Sequence, residues 1–159
     1  MLVAAGAIGG CFMAMRLKKR ANTLKTVGEW IKYLQTEFHY NHTSLTEVFA
    51  DSAALTAFRA LSFLHFDKHT SQSPAETVKQ QLKNEVWALA LADEDVAVIE
   101  RMLEGLGKTA LGGQLDLLEQ SAARIAVYYE QACEIYSRKG RVFRVMGICA
   151  ATAAALVLC

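Results

Sequence analysis

The sequence predicts an all-α fold: roughly a six-helix cytoplasmic bundle with a transmembrane helix at each end, the last helix running unbroken into the membrane. Three observations predict it. One proline, Pro74, and ten scattered glycines leave few breakers, and the hydrophobic share of 53% favours helices over a sandwich or barrel. Apolar residues recur every three or four positions through most of the chain. Both ends, MLVAAGAIGGCFMAM (1–15) and VMGICAATAAALVLC (145–159), carry no charge.

The formal net charge of +1 hides a segregation. Arg16, Lys18, Lys19, Arg20 and Lys25 follow the first apolar run, and Arg138, Lys139, Arg141 and Arg144 precede the second, with no acid in either cluster. The remaining eight Lys/Arg share residues 26–137 with all 16 Asp/Glu, so the middle is acidic. Basic charge beside apolar segments does not fit nucleic-acid binding. It fits two membrane helices with basic collars. Each charge-free run spans about 22 Å against a hydrocarbon core of about 30 Å, and Leu17, Val142, Phe143 and snorkelling Arg/Lys stems extend it. The first run does not read as a secretory signal, because its charges follow it. The collars place residues 16–144 on the cytoplasmic side. The expected organisation is a membrane segment at 1–17, a cytoplasmic bundle at 18–141 and a second membrane segment at 142–159. Cys11, Cys133, Cys149 and Cys159 form no C-x-x-C pair and read as packing residues in a reducing compartment.

The elements follow in order. Leu24, Val27, Ile31, Leu34 and Phe38 mark one face of a first helix ending near Tyr40-Asn41. Ser44-Leu45-Thr46-Glu47 is a capping box opening a short helix to about Asp51. A third helix is expected over roughly 53–66, on Leu55, Phe58, Leu61, Phe63 and Leu64. Ser73-Pro74-Ala75-Glu76 reads as a second capping box with proline at the first helical position, starting a helix to about Ala90. Asp93-Glu94-Asp95 reads as a solvated start of a fifth helix, which stops around Gly105–Gly107. From Gly113, the residues Leu115, Leu118, Ala122, Ile125, Tyr129, Ala132, Tyr136, Phe143 and Met146 form a sustained seam. It predicts one rod of about 47 residues, about 70 Å long.

Residues 37–47, EFHYNHTSLTE, hold His39 and His42 at H-x-x-H spacing beside Glu37 and Glu47, and the sequon Asn41-His42-Thr43. The pair straddles a helix end and lacks the glutamate between histidines that a metalloprotease helix needs. His65 and His69 stand at i, i+4, also at a predicted helix end, where histidine complements the dipole. No E-x-x-H pair for a di-iron bundle, phosphate loop or nucleophile elbow occurs. No catalytic, cofactor or metal residue is therefore expected. Gly6 and Gly10, and Gly147, Ala151 and Ala155, form small-residue stripes along which two membrane helices can pair closely.

Taken together, the residues resemble the stage III sporulation protein AB family of endospore-forming bacteria. The resemblance rests on Leu34-Gln35-x-Glu37-x-x-Tyr40-x-x-Thr43-x-Leu45-x-Glu47, the Pro74-led helix, Gly107-Lys108-Thr109, Leu111-Gly112, Asp116-x-x-x-Gln120 and KGRVFRVMG at 139–147. It covers nearly the whole chain. The step from Gly112 to Asp116 is longer than the family's, and the membrane ends are shorter. The resemblance implies a non-enzymatic scaffold, similar to half of the inner-membrane platform protein of type II secretion and type IV pilus machines. It implies a site in the mother-cell membrane facing the forespore. It also implies a transenvelope channel with other membrane subunits and a cytoplasmic secretion-type ATPase, stage III sporulation protein AA, as partners, with homo-oligomers an open option. Glu37, Tyr40, Thr43, Leu45, Glu47, Gly107, Gly112, Asp116 and Gln120 are the candidate docking residues on this reading. The sequon has no role in a bacterial cytoplasmic domain. Two alternatives stand beside it: a platform or anchor of another secretion or pilus-like system, and a soluble helical metalloenzyme using His65 and His69.

Overall fold

The computed structural model describes residues 2–40, 44–65, 73–108 and 110–158; side-chain surroundings are described for these except 2–11, 140, 141 and 143–158. The described residues form five α-helices and two 3-10 turns, with no strand. Helix α1 spans Leu2–Tyr40, α2 Leu45–Ala54, α3 Pro74–Leu89, α4 Asp93–Gly105 and α5 Leu111–Leu158.

Helices α1 and α5, 39 and 48 residues long, are the two rods of the fold. They run antiparallel and pack along much of their length, with Gly28 facing Ile125. The buried face of α1 is Ala21, Leu24, Val27, Trp30, Ile31, Leu34 and Phe38, the spacing the sequence shows. On α5 the seam turns inward at Leu118, Ile125 and Ala132, with Leu115, Ala122 and Tyr129 half-buried. Helices α3 and α4 form a hairpin whose buried residues, among them Val78, Leu82, Ile99 and Met102, close the bundle. Its aromatic centre is Trp30 between Phe49 of α2 and Phe63, at ring centroid distances of 5.9 and 5.8 Å.

Caps set the helix ends. Ser44 and Glu47 form the expected box: Glu47 N–H donates to Ser44 Oγ at 3.4 Å and Ser44 N–H to Glu47 Oε2 at 3.3 Å. Ser44→Ala is expected to lower stability by about 1 kcal/mol, read from the midpoint of urea unfolding. The Ser73–Glu76 box does not form. Ser73 O instead accepts from the N–H groups of Glu76 and Thr77, both at 3.0 Å, and from Thr77 Oγ1 at 3.3 Å. With Pro74 supplying no N–H, the main chain alone closes this start.

The helix expected over 53–66 is not an α-helix. Two 3-10 turns, Thr56–Phe58 and Ser62–Leu64, stand there, so the described residues hold five α-helices where six were expected. Leu55, Phe58, Leu61 and Leu64 recur at a step of three, which matches a 3-10 turn better than the 3.6 of an α-helix. Phe58, Leu61, Phe63 and Leu64 are all buried by this path.

Among the described residues, no helix is long and apolar enough to cross a membrane. The segments expected to do so, 1–17 and 142–159, fall largely on residues whose side chains lie outside the described set. The stripes Gly6–Gly10 and Gly147–Ala151–Ala155 lie there too.

Candidate functional site

The antiparallel rods give the bundle two distinct ends. One carries the α1–α2 and α4–α5 corners. The other carries the α3–α4 corner and both basic collars.

At the first end the two turns singled out in the sequence meet. Gly107 adopts φ +81°, and a Cβ built there would lie 3.9 Å from Leu45 Cδ2. Space is therefore adequate but the left-handed backbone favours glycine. Gly107→Ala is expected to cost about 1–2 kcal/mol through that strain, measurable as a lower unfolding midpoint with an unchanged m-value. Leu45 packs against the core, while Tyr40 is 73% exposed beside it in sequence, with the His39 ring edge-on at 4.8 Å. Glu37 is half-buried on α1. Burial first, and then the carboxylates Glu37 and Asp51, push the phenol of Tyr33 above its usual range. Glu47 is committed to the Ser44 cap. Thr43 lies outside the described residues, as do Asn41, His42 and His69.

Gly112 lies in the first turn of α5 with nothing within 4 Å of a built Cβ. Asp116 and Gln120 are exposed one turn apart on α5 and make no hydrogen bond or ion pair with another described residue. The structure thus joins the Leu45 and Gly107 turns but sets Asp116 and Gln120 on a solvent face. At Gly105, the end of α4 packs so near α5 that a built Cβ would collide with the Leu117 side chain.

A groove of about 270 Å³ opens at the same end, lined by Ser73, Glu76, Lys79, Leu103, Glu104 and Lys108 among others. Lys79 bonds Glu104 across it. That bond is the largest cause both of the raised pKa of Lys79 and of the lowered pKa of Glu104. Alternating charges over an apolar floor suit a polar protein surface better than a small reactant.

At the other end, the basic collar proves to have separate parts. Arg20 does not face lipid. Its Nε donates to Asp95 Oδ2 at 2.8 Å and its Nη2 to Asp95 Oδ1 at 2.9 Å, with Glu94 at 3.1 Å from Nη2. Asp95 is fully buried, so Asp93-Glu94-Asp95 is not a uniformly solvated helix start. The hydrogen bond to Asp95 is the main cause that raises the pKa of Arg20. Thr23 Oγ1 adds a buried bond to Leu89 O at 3.0 Å. Arg138 pairs with Glu134 at 2.8 Å, and Lys18, Lys19 and Lys139 are exposed. Arg141 and Arg144 have side chains outside the described set.

Among the described residues no group of three or more His, Cys, Asp or Glu could hold a metal ion. The chain is extended at His65, φ −84° and ψ 91°, so the helical i, i+4 geometry proposed for His65 and His69 is already broken at its first member.

A family model for stage III sporulation protein AB matches residues 1–159, the whole chain. The chain belongs to the stage III sporulation protein AB family. Membership gives it a role in sporulation. No curated protein and no solved structure matches the chain.

Proposed function

We propose that this stage III sporulation protein AB family member is a non-enzymatic platform subunit of a secretion-like transenvelope channel. It sits in the mother-cell membrane facing the forespore, with its apolar ends embedded and its acidic bundle in the cytoplasm. The bundle docks a secretion-type ATPase similar to stage III sporulation protein AA, and the two rods pass the docked partner's position or force to the other membrane subunits.

The observation that carries this reading is the polarity of the molecule. The apolar ends and basic collars leave the bundle at one end. The Leu45–Gly107 junction, exposed Tyr40 and the Lys79–Glu104 groove lie at the opposite end. A rod with a lipid-compatible end and a mixed-charge far end suits a scaffold that connects membrane and cytosol. An exposed tyrosine is a frequent anchor of protein interfaces.

Co-purification from detergent-solubilised membranes tests it. The wild-type chain is expected to bring down the ATPase and other membrane subunits. Tyr40→Ala should lower ATPase recovery about tenfold while leaving the helical signal intact. Unchanged recovery in folded Tyr40→Ala and Asp116→Ala would remove this end of the bundle as the docking face. Recovery of the chain from the aqueous fraction alone would overturn the membrane assignment.

A further inference from the structure

The exposed large apolar residues are not spread evenly. Phe12, Met13, Met15, Trp87 and Val142 all belong to the collar end, and Trp87 is 66% exposed. Trp87 lies in the last turn of α3. That helix ends in a tight turn: Ala90, at φ 58°, donates to Trp87 O at 3.2 Å, and Leu91 donates to Val86 O at 3.2 Å. This paired closure holds the helix end rigidly and turns the chain into α4. It leaves the Trp87 ring on the flank of α1, with the Phe12 ring centroid 6.4 Å away and the Arg16 guanidinium 4.8 Å above the ring. The result is a groove of about 290 Å³ lined by Phe12, Met15, Arg16, Lys19, Trp87 and two alanines.

Two features decide what the groove takes. It is apolar, and its charged rim is of one sign. Among the described residues, Lys19 has no acidic partner, and Arg16 contacts the indole face instead of a carboxylate. Arg20, which would add to the rim, is neutralised by Asp95 and Glu94. An indole over an apolar floor beside free cations is the chemistry of a membrane interface. Tryptophan sits at headgroup level, and lysine and arginine reach the phosphates. A polar protein partner would leave the apolar floor unsatisfied, and a purely apolar helix would leave the cations unpaired.

We propose that the flank where the end of α3 meets α1 is itself a membrane-contact surface, with Trp87 seated in the headgroup layer of an anionic bilayer and Arg16 and Lys19 on its phosphates. This rests on the reading that the apolar ends are embedded, and adds that the bundle lies against the lipid through one flank. The bundle then has a fixed tilt against the membrane, which presents its far end at one inclination.

The test uses the full chain in vesicles of phosphatidylcholine and phosphatidylglycerol carrying brominated acyl chains. The chain holds two tryptophans, and Trp30 is fully buried, so the difference between wild type and Trp87→Phe reports Trp87 alone. The expected Trp87 emission is quenched by shallow bromines and protected from aqueous acrylamide. Lys19→Gln should weaken seating of this flank on anionic vesicles about fivefold, with a smaller effect on phosphatidylcholine alone. A chain that floats with the vesicles while acrylamide still quenches Trp87 overturns the inference and leaves the membrane reading intact. Protection from both quenchers means a second copy covers the corner, which also overturns it. A chain that does not float with vesicles overturns both.

Discussion

Alanine at Trp30 is expected to lower the stability of the chain by about 3–5 kcal/mol, the range for removing a large aromatic from a packed core. Trp30 is fully buried on α1, stacked obliquely on Phe49 and edge-on to Phe63. It therefore ties α1 to α2 and to the second 3-10 turn. At this chain length the loss corresponds to a fall in Tm of about 6–20 °C, measured by far-UV circular dichroism. Trp30→Phe separates the causes. The indole N–H is buried with no hydrogen-bond partner among the described residues. Phenylalanine removes that unsatisfied donor, which recovers about 1–3 kcal/mol, while leaving a smaller cavity than alanine. Trp30→Phe is thus expected to lie within about 1.5 kcal/mol of wild type. If Trp30→Ala lowers Tm no more than Trp30→Phe, the three-ring cluster is not the anchor of this region.

What the sequence made legible follows from how local its signals are. The inward positions of α1 and α5, the Ser44 cap, the Pro74 start and the Gly105 end all depend on neighbours within one or two helical turns, and the structure has them where the spacing puts them. The residues from 53 to 66 read as an α-helix because apolar steps of three fit a coarse helical pattern as well as they fit a 3-10 turn. The turn at Ala90 carries no sequence signal, since its left-handed residue is alanine where glycine is the usual mark. In sequence the meeting of Leu45 with Gly107 reads only as two separate turns, because they stand 62 positions apart. Trp87 escaped notice for a related reason. Its neighbours Phe12 and Arg16 are on α1, and a lone tryptophan in a polar helix looks ordinary until the fold brings that helix alongside.

The Arg20–Asp95 pair carries the second large effect and shows most plainly what a charge pattern conceals. Asp95→Ala is expected to cost about 3 kcal/mol, because it leaves a guanidinium whose side chain is only 13% exposed with the exposed Glu94 as its one remaining carboxylate partner. It also removes the acceptor that Asp95 Oδ2 offers to the Ala92 N–H at 2.8 Å, a bond alanine at the cap position cannot replace. Arg20→Lys should be nearly as harmful as Arg20→Ala, since a point ammonium does not reproduce two parallel N–H···O bonds. Replacing both partners, as Arg20→Met with Asp95→Leu, is expected to recover most of the loss, because no buried charge is then left alone. The double-mutant cycle checks this: a coupling energy near zero would mean the pair is not an isolated unit of the fold. The functional consequence lies in geometry. Arg20 joins the last polar turn of α1 before its apolar end to the first turn of α4, and Thr23 adds its bond to the end of α3. Together they hold the α3–α4 corner against α1 and keep Trp87 on the same flank as Phe12. In Arg20→Ala vesicles the Trp87 signal should lose its protection from acrylamide even where the helical content is unchanged. Protection retained in that variant would mean that the corner is held by Thr23 and core packing alone.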